Sequence, residues 1–267
     1  MGYRKARKRR LLQYEWNKNI ACRKYQYLVP MIVALQMCIQ AYFHVEGTVT
    51  LTQFLDRFLE GMPHMGTGSR ASFLIPGDWC VFCIFLVYMT GKSSKDFTEG
   101  VGQQILLRAE DASSLWSVKC SVCIANSLIY FGSAYVSIIL FFMWETKSIT
   151  SLFQIGLGWD VNQFLAHFFL PVLTACVIGV WQMVISMLSN ALFSVLGISV
   201  LLIVSAYFEN SILIGNYLMK LRVQEFLDSG ISYTQMIVYL LLLLAAAYYV
   251  GVKVIRRLDY IHVKGDL

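Results

Sequence analysis

Residues 120–143 read CSVCIANSLIYFGSAYVSIILFFM, a run that contains no Asp, Glu, Lys or Arg. About 20 such residues wound as a helix cross a hydrocarbon core roughly 30 Å thick. The run does not alternate apolar and polar positions, as the strands of a membrane barrel do. Comparable stretches recur on both sides of it. Across the 267 residues, 57% are apolar and only 14% charged, against about 25% charge in an ordinary soluble domain. Mean hydropathy is +0.59. A water-soluble fold and a disordered chain are both excluded by this composition.

The sequence predicts an all-α, polytopic membrane protein with six transmembrane helices: Tyr27 to Val45, Ser72 to Thr90, Cys120 to Met143, Leu165 to Met187, Ala191 to Phe208, and Met236 to Val252. Three parts follow: a cytoplasmic interfacial helix and basic tail over 1–26, a six-span unit over 27–252, and a C-terminal tail over 253–267. The basic start and first apolar run read as a retained helix, since no convincing small-residue cleavage site follows. Nine Lys and Arg residues lie in the stretch through Lys24, four between Lys92 and Lys119, and four from Lys253 onward. The other five (Arg57, Arg70, Lys147, Lys220, Arg222) fall in the alternate loops. By the positive-inside rule both termini are expected in the cytoplasm, with the chain in the cell membrane.

In the N-terminal segment, Leu12, Trp16 and Ile20 recur at four-residue spacing beside Arg9, Arg10, Lys18 and Lys24. This predicts a helix on the inner membrane surface, its apolar stripe sunk in the interface and its cations near headgroups. The inner loop from Gly91 to Lys119 holds a second short amphipathic pattern, Ser94, Phe97, Val101, Ile105 and Arg108, weakened by about 1 kcal/mol at each of Gly100 and Gly102. Trp116 and Lys119 then suit the interface as anchors, as does Trp16. On the other side, Glu209 to Gly230 is too apolar for a free loop and too polar to span. Ile212, Leu213, Tyr217, Leu221 and Phe226 predict short helices folded back on the outer membrane edge, with Asn216, Lys220 and Arg222 facing water or headgroups. The first outer loop, Gly47 to Arg70, has amphipathic Phe54, Leu55, Phe58 and Leu59, with no purpose readable from the residues.

Catalytic and metal patterns are weak. Gly91-Lys92-Ser93 resembles the end of a phosphate-binding loop, but the required earlier glycine is Leu86. Cys80-x-x-Cys83 and Cys120-x-x-Cys123 lie in apolar spans at different depths and read as small packing residues. His44, His64, His167 and His262 have no metal or hydrolase spacing. Asp78 follows Pro76 and Gly77 in the second span, where an unpaired carboxylate costs about 2.5–3.5 kcal/mol. Two readings stand for it: a place in an internal pathway, or a structural hydrogen bond or cap at the Pro-Gly break.

Several stretches together carry a resemblance. In the inner loop, Asp96-Phe97-x-Glu99-Gly100 is followed by Leu106-Leu107-Arg108 and Trp116-x-x-Lys119. The outer segment contains Gly215-Asn216-Tyr217-Leu218-Met219-x-x-Arg222. With six spans, an N-terminal surface helix and an outer re-entrant segment, the chain resembles permease subunits of ABC-2 type ABC transporters, particularly those of lantibiotic and bacteriocin export or immunity. The resemblance implies that Phe97, Glu99, Gly100, Leu106 and Arg108 belong to a coupling helix docked on a separate ABC ATPase subunit. That partner uses ATP and Mg; this chain binds no cofactor or metal and is not itself an enzyme. A second permease copy or related permease, membrane lipids and an amphipathic peptide cargo are the other implied partners, with no nucleic acid. The alternatives are a non-transporting sensor or assembly subunit and an intramembrane enzyme, which needs a concentrated set of carboxylates, histidines or a nucleophile within the spans, where Asp78 stands nearly alone.

Overall fold

The computed structural model describes residues 2–44, 50–62, 76–98, 112–147, 161–223 and 230–265. The described chain is helical: α1 (Gly2–Asn19), a 3-10 segment (Ala21–Tyr27), α2 (Leu28–His44), α3 (Leu51–Phe58), α4 (Gly77–Thr98) and α5 (Ala112–Thr146). After a single α-helical turn (Val161–Phe164) and a π-helical turn (Leu165–Phe169) come α6 (Leu170–Leu188), α7 (Ala191–Tyr207) and α8 (Tyr233–Gly265). Between α7 and α8, two 3-10 turns (Ile214–Leu218 and Lys220–Arg222) form a cap.

Among the described residues four helices are long and apolar enough to cross a membrane: Lys8–Phe43, Ser113–Thr146, Asn162–Leu188 and Tyr233–Arg257. Ala191–Tyr207 is a shorter apolar helix. The helices outrun the apolar runs that predict them. α4, in the second expected span, begins at Gly77, after the expected start at Ser72, and continues beyond Thr90 to Thr98. The last continues past Val252 to Gly265, through residues 253–265 expected as a tail. Apolar runs mark only what lipid requires, whereas backbone hydrogen bonding carries a helix on until a breaker or a loop stops it.

Contacts fix the helix directions. α2 and α5 run the same way, since Tyr27 meets Asn126 and Tyr42 meets Phe141. α6 runs against α5: the Tyr135 hydroxyl reaches the His167 carbonyl, while Gly179 abuts Cys123. α8 descends beside α6 and α5, with Trp181 bonded to the Leu243 carbonyl and Trp116 to that of Tyr248. The end where α1 packs is called basal here and the end carrying α3 and the cap distal.

Aromatic side chains dominate the distal half of the core. Phe58 meets Phe82 at 4.9 Å and Tyr135 at 5.9 Å between ring centroids, and Phe54 meets Phe141 at 5.5 Å, all edge to face. Thus part of the stretch expected as the first outer loop has a structural role: α3, started by a Thr50–Gln53 capping box, buries Leu51, Phe54, Leu55 and Phe58 on the bundle. At the basal end, Trp116 is fully buried and its ring lies where a Gly251 side chain would have to go.

That contact makes Gly251 a close-approach glycine. Gly251→Val is expected to lower stability by about 1–3 kcal/mol through overpacking. Gly132→Val, at a position with nothing within 4 Å of an added Cβ, should cost much less. Chemical denaturation in micelles compares the two.

Candidate functional site

Pro171, in the first turn of α6, has no N–H to give to the carbonyl four residues earlier, which belongs to His167. The backbone responds with a π-helical turn at Leu165–Phe169, where the Leu170 N–H bonds to the Leu165 carbonyl instead. The stranded His167 carbonyl accepts the Tyr135 hydroxyl of α5 at 2.5 Å. The imidazole, 4% exposed, turns toward α3 and the cap. Its Nδ1 lies 2.7 Å from the Gln163 carbonyl, and its Nε2 lies 2.6 Å from Asp56 Oδ1 and 3.1 Å from Lys220 Nζ. Lys220 also pairs directly with the Asp56 carboxylate. Three separate elements thus meet at one ionic site.

Burial alone would raise the Asp56 carboxyl, but hydrogen bonds with His167 and Lys220, together with their charges, outweigh it and hold the group below the ordinary aspartate value. The surrounding wall is apolar, made by Leu55, Leu59, Leu170, Pro171 and Met219. An ion pair here loses less to water than a surface pair does, although Asp56 itself remains partly exposed.

The cap is stitched to everything around it. Lys220 N–H donates to the Leu59 carbonyl at 2.9 Å and Leu221 N–H to that of Glu60 at 3.3 Å. The Trp79 indole of α4 donates to the Leu218 carbonyl at 3.2 Å. Gly215 lies so close to α7 that an added Cβ would fall 2.5 Å from that of Ser205. Burial and the neighbouring Tyr239 push the Tyr217 hydroxyl up to about 12, so it stays a donor, to the Ser211 carbonyl at 2.6 Å.

Asn216 and Arg222 correct a sequence expectation. Both are about 1% exposed and face protein, not water or headgroups. Their donors serve the end of α7. Asn216 Nδ2 bonds the Phe208 and Asn210 carbonyls at 3.0 Å each, and Arg222 Nη2 the Ala206 carbonyl at 3.2 Å. A helix C-terminus leaves carbonyls without intrahelical donors and carries partial negative charge, so an amide and a cation fit there. Burial draws the Arg222 guanidinium down from its usual value, and Glu209, 3.9 Å away, opposes the shift.

The other sequence-predicted residues are dispersed. Asp78 sits in the first turn of α4, where a carboxylate complements the helix dipole, and accepts from Gln36 Nε2 at 3.0 Å. It lines a distal cleft with Gln40, Arg57 and Glu60. Trp16 is exposed on α1, as is Leu12. Trp116 and Lys119 are not at a lipid surface: Trp116 is enclosed by α8, and Lys119 pairs with the buried Glu15 of α1 at 2.7 Å. Asn19 Nδ2 adds a bond to the same carboxylate at 2.8 Å. The side of α1 that meets the bundle therefore carries Glu15 and Asn19. Phe97 belongs to the end of α4, whereas Glu99, Gly100, Leu106 and Arg108 lie outside the described residues, as does Phe226. Cys80, Cys83, Cys120 and Cys123 are buried free thiols, and among the described residues no group of three or more His, Cys, Asp or Glu is placed to hold a metal.

Sequence reasoning missed Asp56 and Glu15 altogether, left His167 unassigned, and expected Lys220 to face water or headgroups, whereas its side chain is 12% exposed and paired with Asp56. One signal was available: a proline four residues after a histidine in an apolar span frees that histidine's carbonyl.

The lowered Asp56 value fixes a sign. A carboxyl depressed in the folded state stabilises fully above its unfolded value, about 3.9, and loses that contribution as pH falls through the folded value. Asp56→Asn should therefore be less stable near neutral pH and lose less than the native chain across the acid window. Denaturation midpoints measured from neutral pH down through that window test it.

No curated protein and no solved structure matches the chain. A family described as protein of unknown function (DUF2705) matches residues 27–261, and the chain belongs to that family.

Proposed function

We propose that this chain is the permease subunit of an ABC-2 type transporter, crossing the cell membrane six times with both termini in the cytoplasm. In this reading α2, α4, α5, α6, α7 and α8 are the spans and the basal end is cytoplasmic. A separate ABC ATPase subunit binds and hydrolyses ATP with Mg, and a second permease copy or related permease completes the passage. The cargo is an amphipathic peptide of the lantibiotic or bacteriocin kind, exported or cleared from the membrane.

One observation supports the reading above the others. Phe97 to Arg108, the stretch assigned to ATPase docking, begins at the end of one long helix, α4, which closes at Thr98, and is followed by another, α5, which opens at Ala112. Both helices run deep into the aromatic core, where Tyr130 of α5 bonds the Phe82 carbonyl of α4 at 2.8 Å. A push on a connection so mounted travels along rigid rods, as a rocking mechanism requires. α5, with 35 residues, is about 50 Å long at 1.5 Å per residue, and so projects beyond a hydrocarbon layer of about 30 Å.

Purification of a tagged copy from its native membrane tests the assignment. An ABC ATPase is expected to copurify, and Phe97→Asp with Leu106→Asp should reduce its recovery roughly tenfold or more, as removal of apolar anchors does. Intact association and export in that double variant would overturn the docking assignment. Cysteines placed between Gly91 and Lys119 should react with impermeant reagents only from the cytoplasmic side.

A further inference from the structure

The His167 ring poses a proton-counting problem. Nδ1 faces a carbonyl oxygen, which only accepts, so Nδ1 carries hydrogen in every state. Nε2 faces two groups of opposite demand: a carboxylate oxygen of Asp56, which needs a donor, and the ammonium of Lys220, which offers only donors. A single ring nitrogen satisfies one of them at a time. A proton on Nε2 makes a charge-assisted bond to Asp56 and sets the imidazolium against Lys220. A bare Nε2 accepts from Lys220 and turns its electron pair toward the Asp56 oxygen.

We propose that His167 is a proton-operated selector that joins the π-helical turn before α6 to α3 when protonated and to the cap when neutral. The proton comes from solvent at the distal face, beside the partly exposed Asp56 carboxylate, and adds to the electron pair of Nε2; no other bond is made or broken. Asp56 and Lys220 remain paired with each other in both states, so the site changes its linkage without coming apart.

The charged and titratable groups that face His167 among the described residues come from three elements. They are Asp56 of α3, the Tyr135 hydroxyl of α5 on the His167 carbonyl, and Lys220 and Tyr217 of the cap. Tyr217 keeps its proton well above neutrality, Lys220 is held as the partner of Asp56, and Asp56 is an anion at neutral pH. Of the facing groups only the imidazole Nε2 stands between a carboxylate oxygen and an ammonium, which makes it the switching member. The selector depends on geometry at the distal end alone and stands or falls independently of the transport reading.

Hydrogen–deuterium exchange on the full chain in lipid nanodiscs, corrected for intrinsic exchange, reads the linkage. Between about pH 8 and pH 5, protection of cap amides at Lys220–Val223 should fall roughly tenfold relative to those of α3, the loss expected for one hydrogen bond to a charged group. His167→Gln, which takes up no proton, should make that ratio independent of pH. Lys220→Met removes only the bond that the cap loses, so it should shrink the pH-dependent change in that ratio, and it serves if His167→Gln fails to fold. A constant ratio in the native chain would overturn the proposal. So would an unchanged pH profile in whichever variants fold.

Discussion

Apolar helices inside a lipid bilayer gain little by hiding from lipid, because hydrocarbon tails are as apolar as leucine. Their cohesion rests on close packing and on hydrogen bonds that bridge one helix to another. In this chain the bridging donors are mostly aromatic. Tyr130 binds the Phe82 carbonyl, Trp79 that of Leu218, Trp116 that of Tyr248 and Trp181 that of Leu243. Gln182 adds the Val87 carbonyl at 2.8 Å. Apart from Leu218, which closes a 3-10 turn of the cap, each carbonyl accepts this bond while its helix continues, so a ring both fills space and pins the axial position of its neighbour. Without such pins the α5, α6 and α8 helices would be free to slide along one another.

The distal site is an extension of the same accounting. A proline inside the fourth apolar run removes one backbone bond, and the protein answers with three features at once. The helix widens into a π-turn, the freed carbonyl takes the Tyr135 hydroxyl, and the histidine in the middle of the turn points at α3 and the cap. At the end of α7 the same logic recruits Asn216 and Arg222. His167, Asn216 and Arg222 sit where backbone groups have lost their helical partners. That is a structural origin for their burial, and it also gathers charge at the distal end.

How far the sequence was legible follows from what each signal measures. Long apolar runs report lipid exposure, so the central parts of the helices were readable: Ala191 to Phe208 differs from α7 by one residue. The ends were less so, because Thr98, Ala112 and Gly265 lie in polar sequence, where no apolar run marks how far backbone hydrogen bonding carries the helix. Trp116 and Lys119 have the composition of a membrane-surface pair, yet both are covered by neighbouring helices that only the fold brings near. Asp56, His167 and Lys220 are separated by more than fifty residues at each step, and no local spacing links them. Arg222 and Asn216 were visible as residues of a motif, but their inward orientation follows from the free carbonyls of α7, which become apparent only once that helix has an end.

The two ends of the bundle also differ in how their charges are held, with a mechanical consequence. At the basal end Lys119 and Glu15 are nearly inaccessible, and the pair is joined by Asn19 on the same helix. A buried pair tolerates little displacement, since separating its members leaves charge in a medium that cannot solvate it. α1 therefore moves with α5, whose first turn directly follows residues 99–111. At the distal end Asp56 is partly open to solvent and Lys220 and His167 share it, so partners can be exchanged at small cost. A structure clamped firmly at one end and exchangeably at the other bends about the clamped end. Under the permease reading, force delivered at the basal connection would be transmitted by α1 and α5 together and released as rearrangement among α3, the cap and the turn before α6.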